Sequence, residues 1–136
     1  MTVAMEEFHH CKIGVKVLQS RKPRAAGDWY VRQIVLHPVG STRIVQGGLV
    51  RIHLSMLDPA VQAAILREDT PLGHVLIDHD VLRHIEVKQY LRLEAGPALG
   101  AWPTFPTDKT AYGRLGILYC DLQPAIEVFE IVPGGL

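Results

Sequence analysis

Between Lys12 and Leu18 apolar and polar residues alternate, with Ile13, Val15 and Val17 on one side and Lys12, Gly14 and Lys16 on the other. That period predicts a half-buried strand. From Asp28 to Val39 the pattern changes, because Trp29, Val31 and Val35 alternate with Tyr30, Ile34 and Leu36, so both faces are apolar and the strand is expected to be central and covered on both sides. The charged stretch Ser20 to Gly27 joins these two strands as a solvated connection. After a turn at Gly40-Ser41, Arg43 to Leu54 reads as a third strand, in which the pair Gly47-Gly48 predicts a bulge or a close backbone approach. Asp58-Pro59 then predicts a helix start, with Ala60, Ala63, Ala64 and Leu66 carrying the helix to Arg67 or Glu68. A short helical turn is expected from Gly73 to Ile77. Leu82 to Leu93 is a long fourth strand that turns Ile85, Val87, Leu91 and Leu93 to the core and Glu86, Lys88 and Arg92 away. Ala111 to Asp121 and Ala125 to Val132 complete the pattern as two strands around a turn at Leu122-Gln123-Pro124, preceded by the Pro- and Gly-rich loop Gly96 to Lys109.

Short connections imply antiparallel neighbours, and helix confined to the middle of the chain implies helices on one sheet face. The expectation is an α+β fold, a single antiparallel sheet of about six strands forming one domain over residues 1–136. Fourteen basic and fourteen acidic residues balance and are scattered, which leaves no electrostatic footprint for nucleic acid or an anionic membrane. Cys11 and Cys120 lie far apart, no signal-peptide pattern opens the chain, and no apolar run is long enough to span a bilayer. A cytoplasmic protein with free thiols is expected, a monomer or small homo-oligomer with a small-molecule partner and without a nucleic-acid or membrane partner.

The stretch Thr70-Pro71-Leu72-Gly73 is the first place to look for a bound anion, since Pro fixes φ and Gly lets peptide groups approach a ligand. A plain helix-ending turn is the alternative. Arg32 stands in an apolar set with Tyr30, Ile34 and Leu36, so it must be paired, snorkelling or awaiting a ligand. Glu127 sits among Ala125, Phe129 and Ile131 in the last strand, and an Arg32–Glu127 ion pair across the sheet would explain both. Arg51 and His53 read as the solvated side of the third strand. His9-His10-Cys11 and His79-Asp80 lack the spacing of a zinc site, and neither a phosphate loop nor a nucleophile elbow is present. No metal and no cofactor is called for.

Taken in order, Met1-Thr2, the strand Lys12 to Leu18, Trp29-Tyr30-Val31-Arg32-Gln33-Ile34-Val35-Leu36, Thr70-Pro71-Leu72-Gly73, Arg83-His84-Ile85-Glu86-Val87 and Ile126-Glu127-Val128-Phe129 near Pro133 resemble the chorismate lyases. Those enzymes eliminate pyruvate from chorismate to leave 4-hydroxybenzoate. The resemblance implies a cofactor-free lyase in which Arg32 binds a substrate carboxylate and Glu127 acts beside the departing group. It implies further that backbone amides of Leu72 and Met1 hold the ligand, with Gly73 beside them. The family fold, an antiparallel sheet with helices on one face and a buried ligand, agrees with the strand count.

This chain departs from the family pattern in starting at the matched Met without the usual preceding helical segment, in a longer Pro97 to Lys109 stretch, and in Gly47-Gly48 where Gly-Arg is common. Two other readings stay open. One is a non-catalytic binding module for a small aromatic or carboxylic acid, because the same fold serves as the effector-sensing half of bacterial regulators. The other is a relative acting as lyase or cyclase on a different biosynthetic acid.

Overall fold

The computed structural model describes residues 6–7, 10–25, 29–94 and 110–133. Six strands form one antiparallel sheet: β1 (Ile13–Arg21), β2 (Tyr30–Pro38), β3 (Gln46–Ile52), β4 (Arg83–Leu93), β5 (Ala111–Cys120) and β6 (Gln123–Pro133). Their spatial order is β1-β2-β3-β6-β5-β4, so the chain lays down one half of the sheet, crosses through the helical stretch, and returns along the other half from the edge inward. That crossing holds a 3₁₀ turn (Leu54–Met56) and two helices, α1 (Pro59–Leu66) and α2 (Leu72–Asp78). The architecture is α+β of the chorismate lyase-like type, as the hydrophobic pattern predicts.

The main core lies between the helices and the front face of the sheet. Val61, Ala64 and Ile65 of α1 and Val75 and Leu76 of α2 pack on Tyr30, Val50, Ile52, Ile126 and Val128, all buried. α1 starts where Asp58 and Pro59 predict, but by backbone alone: Asp58 adopts an extended conformation, makes no side-chain cap bond, and its carbonyl accepts the Gln62 amide at 3.0 Å. β2 is apolar on both faces for a visible reason. Ile34 and Leu36 join Ile13 and Val45 on the front, while Val35 joins Ala111 and Ile131, with Leu18, Leu93 and Phe129, on the back.

Three local expectations are corrected. Of the two alternatives at Gly47-Gly48, the bulge is not formed, since β3 keeps an unbroken register with β2 from Gln46 to Ile52; the close approach at Gly48 is made by the Ile34 side chain, which would lie 3.3 Å from an added Cβ. A real irregularity falls in β4, where Val87 pairs with Gly116 and the next pair is Gln89 with Leu115. One extra residue there flips the alternation, so Leu91 and Leu93 stand on the opposite face from Ile85 and Val87. The β5–β6 turn is at Asp121-Leu122 rather than Leu122-Gln123-Pro124, with φ of 50° and 70°.

The N-terminal side is tied to the helices by one carboxylate. Glu6 accepts the Ile13 amide at 3.0 Å through one oxygen and lies 3.2 Å from the His74 ring of α2 through the other. These bonds, led by that of Ile13, hold its pKa below the usual carboxylate range.

A two-residue hairpin with both φ positive favours Gly at its second position. Leu122 is 81 % exposed there and contributes little packing. Leu122→Gly is therefore expected to stabilise the fold by about 0.5–1 kcal/mol, read as a higher urea midpoint with unchanged slope.

Candidate functional site

Reading the register across the sheet places the side chains of the front face. Arg32 stands opposite Val50, Val50 opposite Val128, and Val128 opposite Gly116; in the next such row Ile34, Gly48, Glu130 and Arg114 follow one another. Gly48 and Gly116, in adjacent rows, lie under the Ile34 and Ile85 side chains, and a cavity of about 260 Å³ lies over this face of the sheet. Leu72, Gly73 and Leu76 of α2 border it on the helical side, and Arg83, His84 and Ile85 of β4 border it on another. The turn Thr70-Pro71-Leu72-Gly73 is thus the start of α2, where Pro71 accepts the His74 and Val75 amides and leaves Leu72 and Gly73 in the first turn.

Arg32 is the largest fully buried side chain among the described residues, at 2 % exposure. Its Nη1 reaches the Ile65 carbonyl at 3.5 Å and the Tyr30 hydroxyl lies within its electrostatic reach, while its Nε has no hydrogen-bond partner. Gln46, the other buried polar residue among those described, likewise has an unpartnered Oε1, and both residues line the same cavity. An unmet buried polar atom costs about 1–3 kcal/mol, more when charged, so each marks a place where a ligand or water completes the bonding. Glu130 and Arg114 also line the cavity, joined at 2.6 Å. With that pair internally balanced, Arg32 and Arg83 leave the cavity with a positive excess that suits an anion.

Behind Arg32 stands a support. Tyr30 donates its hydroxyl to Glu68 at 2.7 Å, and Glu68 holds a left-handed φ of 59° just after α1. Burial, helped by the bond to Glu68, pushes the Tyr30 hydroxyl up to about 12. The same bond, with one from Ser20 and the charges of Lys22 and Arg32, holds the Glu68 carboxyl below its ordinary value.

Arg32, Leu72 and Gly73 therefore meet around one cavity, while Glu127 does not join them. It lies in the row Val31, Arg51, Glu127 on the back of the sheet, paired with Arg51 at 3.3 Å and about half exposed. Neither the Arg32–Glu127 ion pair nor a Glu127 facing the Arg32 cavity is formed, because the register sets Arg32 level with Val50 and Val128. Met1 lies outside the described residues. Glu130 and Arg114 were missed, although each carried the signal that singled out Arg32: Glu130 shares parity with Ile126 and Val128, and Arg114 with Gly116 and Leu118. Among the described residues no group of three or more His, Cys, Asp or Glu converges as a metal site, and no helix is long and apolar enough to cross a membrane.

No family model and no curated protein matches this sequence. Solved structures do match. A GntR-family transcriptional regulator from Bacillus cereus aligns with 90% of this chain and 92% of its own, at 9% identity and a TM-score of 0.55. A gene product from Staphylococcus aureus aligns over 89% of this chain and 82% of its own, at 9% identity and 0.58. A possible transcriptional regulator from Bacillus subtilis aligns over 90% of this chain at 10% identity and 0.55, this chain spanning 57% of that one. The fold is shared with transcriptional regulators. At such identities the likeness concerns the fold alone, and the assignment to the chorismate lyases is corrected: no model and no curated member of that family matches the sequence, and two of these solved structures are named as regulators, one of them as possible.

The Tyr30–Glu68 pair makes stability depend on pH at both ends of the range. Glu68, lowered from 4.5, contributes stability that is present above that value and lost as pH falls through its folded pKa. Tyr30, raised from 10.0 to about 12, contributes stability present below pH 10 and lost as pH rises toward 12. Tyr30→Phe is expected to flatten the alkaline loss and Glu68→Gln the acid loss, measured as urea midpoints between pH 3 and 11.

Proposed function

We propose that this chain is a small-molecule binding module, the sensing kind of domain rather than a catalyst, and that its cavity takes an anionic ligand anchored by Arg32. The observation that carries the reading is the pair of buried, incompletely bonded polar groups, Arg32 Nε and Gln46 Oε1, lining one cavity. A guanidinium suits bidentate contact with a carboxylate or phosphate. Leu72 and Gly73 border the ligand from α2, where backbone approach is least obstructed. Likeness of fold to transcriptional regulators supports sensing over turnover.

The arrangement also speaks against an elimination like that of chorismate. A general acid must reach the departing oxygen, and Glu127 is on the other face of the sheet. Glu130, which does line the cavity, is engaged by Arg114.

The test uses the purified chain against a panel of small carboxylates and phosphate esters, chorismate included, scored by thermal shift and then calorimetry. Arg32→Met is expected to weaken binding of any hit by tenfold to about a hundredfold, the worth of one or two charge-assisted bonds. The unliganded variant is expected to be at least as stable as the parent, because a buried charge with an unmet donor is replaced by an apolar chain. Glu127→Gln should leave binding unchanged. Arg32-dependent release of pyruvate from chorismate would replace the sensing reading with catalysis, and tight binding that survives Arg32→Met would remove its anchor.

A further inference from the structure

The back of the sheet carries a second cavity, of about 680 Å³, separated from the first by the sheet itself. Arg21 at the end of β1, Lys22 and Arg24 just after it, and Trp29, Val31 and Arg51 line it. Val31 stands level with Arg51 in the register, in the row that faces away from Arg32. The chain as a whole is neutral, with 14 basic and 14 acidic residues, yet the described lining of this cavity holds four basic residues and no acid. Glu127 is the acid at its border, through Arg51. Lys22 also lies within electrostatic reach of Glu68.

Arg51 is the organised element of the group. Its guanidinium lies 4.6 Å from the centre of the Trp29 ring, and His53 packs against that ring with centroids 5.0 Å apart. A guanidinium laid on an aromatic face is held in place while its in-plane donors remain available. Its bond to Glu127 is a half-exposed ion pair, weak and salt-screened, so a competing anion can take the guanidinium without leaving a buried charge. A monocarboxylate would meet one of these cations. A group with several charged oxygens would meet those of β1 and β3 together.

We propose that this cavity is a second anion site, distinct from the Arg32 cavity, that takes a phosphate-bearing small molecule with Arg51, Arg21 and Lys22 on the phosphates and Trp29 as its wall. The site supplies its own reporter. The chain has two tryptophans, Trp29 and Trp102, so Trp102→Phe leaves Trp29 as the sole indole.

That variant is titrated with inorganic pyrophosphate and, separately, with adenosine diphosphate, ionic strength being held constant. The expected result is a saturable change in Trp29 emission, weakened at least tenfold by Arg51→Ala and by the double change Arg21→Ala with Lys22→Ala, and unmoved by Arg32→Ala. A tighter fit for the nucleotide would add a ring-bearing ligand to the assignment, and equal affinities would assign the diphosphate alone. The proposal is overturned by no saturable change up to about 10 mM, a range that covers very weak binding, by an equal response to sulfate, or by loss of the response in Arg32→Ala. Calorimetry on the unaltered chain gives the same comparison if Trp102→Phe fails to fold.

Discussion

A guanidinium buried in an apolar sheet is the constraint around which the front face is arranged. Arg32 cannot be left without compensation in a medium that strengthens every charge, and the fold supplies it through Tyr30 and Glu68. Tyr30 stands two residues earlier on the same face of β2, its hydroxyl bound to Glu68, and Glu68 accepts a left-handed backbone to be there. Since Glu68 closes α1 and opens the short link to α2, the electrostatic support of Arg32 and the placement of Leu72 and Gly73 have one structural origin. The helices packed on this face by their apolar residues are thus also tied to the charge.

The strands were legible because alternation is a local property. Each of the six announces itself within its own residues, and an anomaly such as Arg32 is visible inside β2 alone. What alternation does not carry is the phase between strands. Glu127 stood out in β6 as Arg32 did in β2, but level with Arg32 the register brings Val128, and the acid on that face is Glu130. The extra residue in β4 misleads similarly: a period of two extrapolated through it assigns Leu91 and Leu93 to the wrong face. Glycines posed a related difficulty, since Gly47-Gly48 suggests irregular backbone while the reason for Gly48 is the Ile34 side chain on the neighbouring strand.

The resemblance to the chorismate lyases divides along the same line. Its motifs are mainly strand cores and one turn, which any chain of this topology needs, and they led to the right architecture. Chemistry depends on which side chains share a cavity, and there the carried-over pair separates to opposite faces. A match in elements is thus compatible with regulators and enzymes alike.

Glu6 ties two elements together mechanically. One carboxylate spans the first amide of β1 and a ring on α2, and a carboxylate has no length to spare. It behaves as a strut: α2 cannot lift or rotate without drawing the start of the edge strand after it or breaking one of the two bonds.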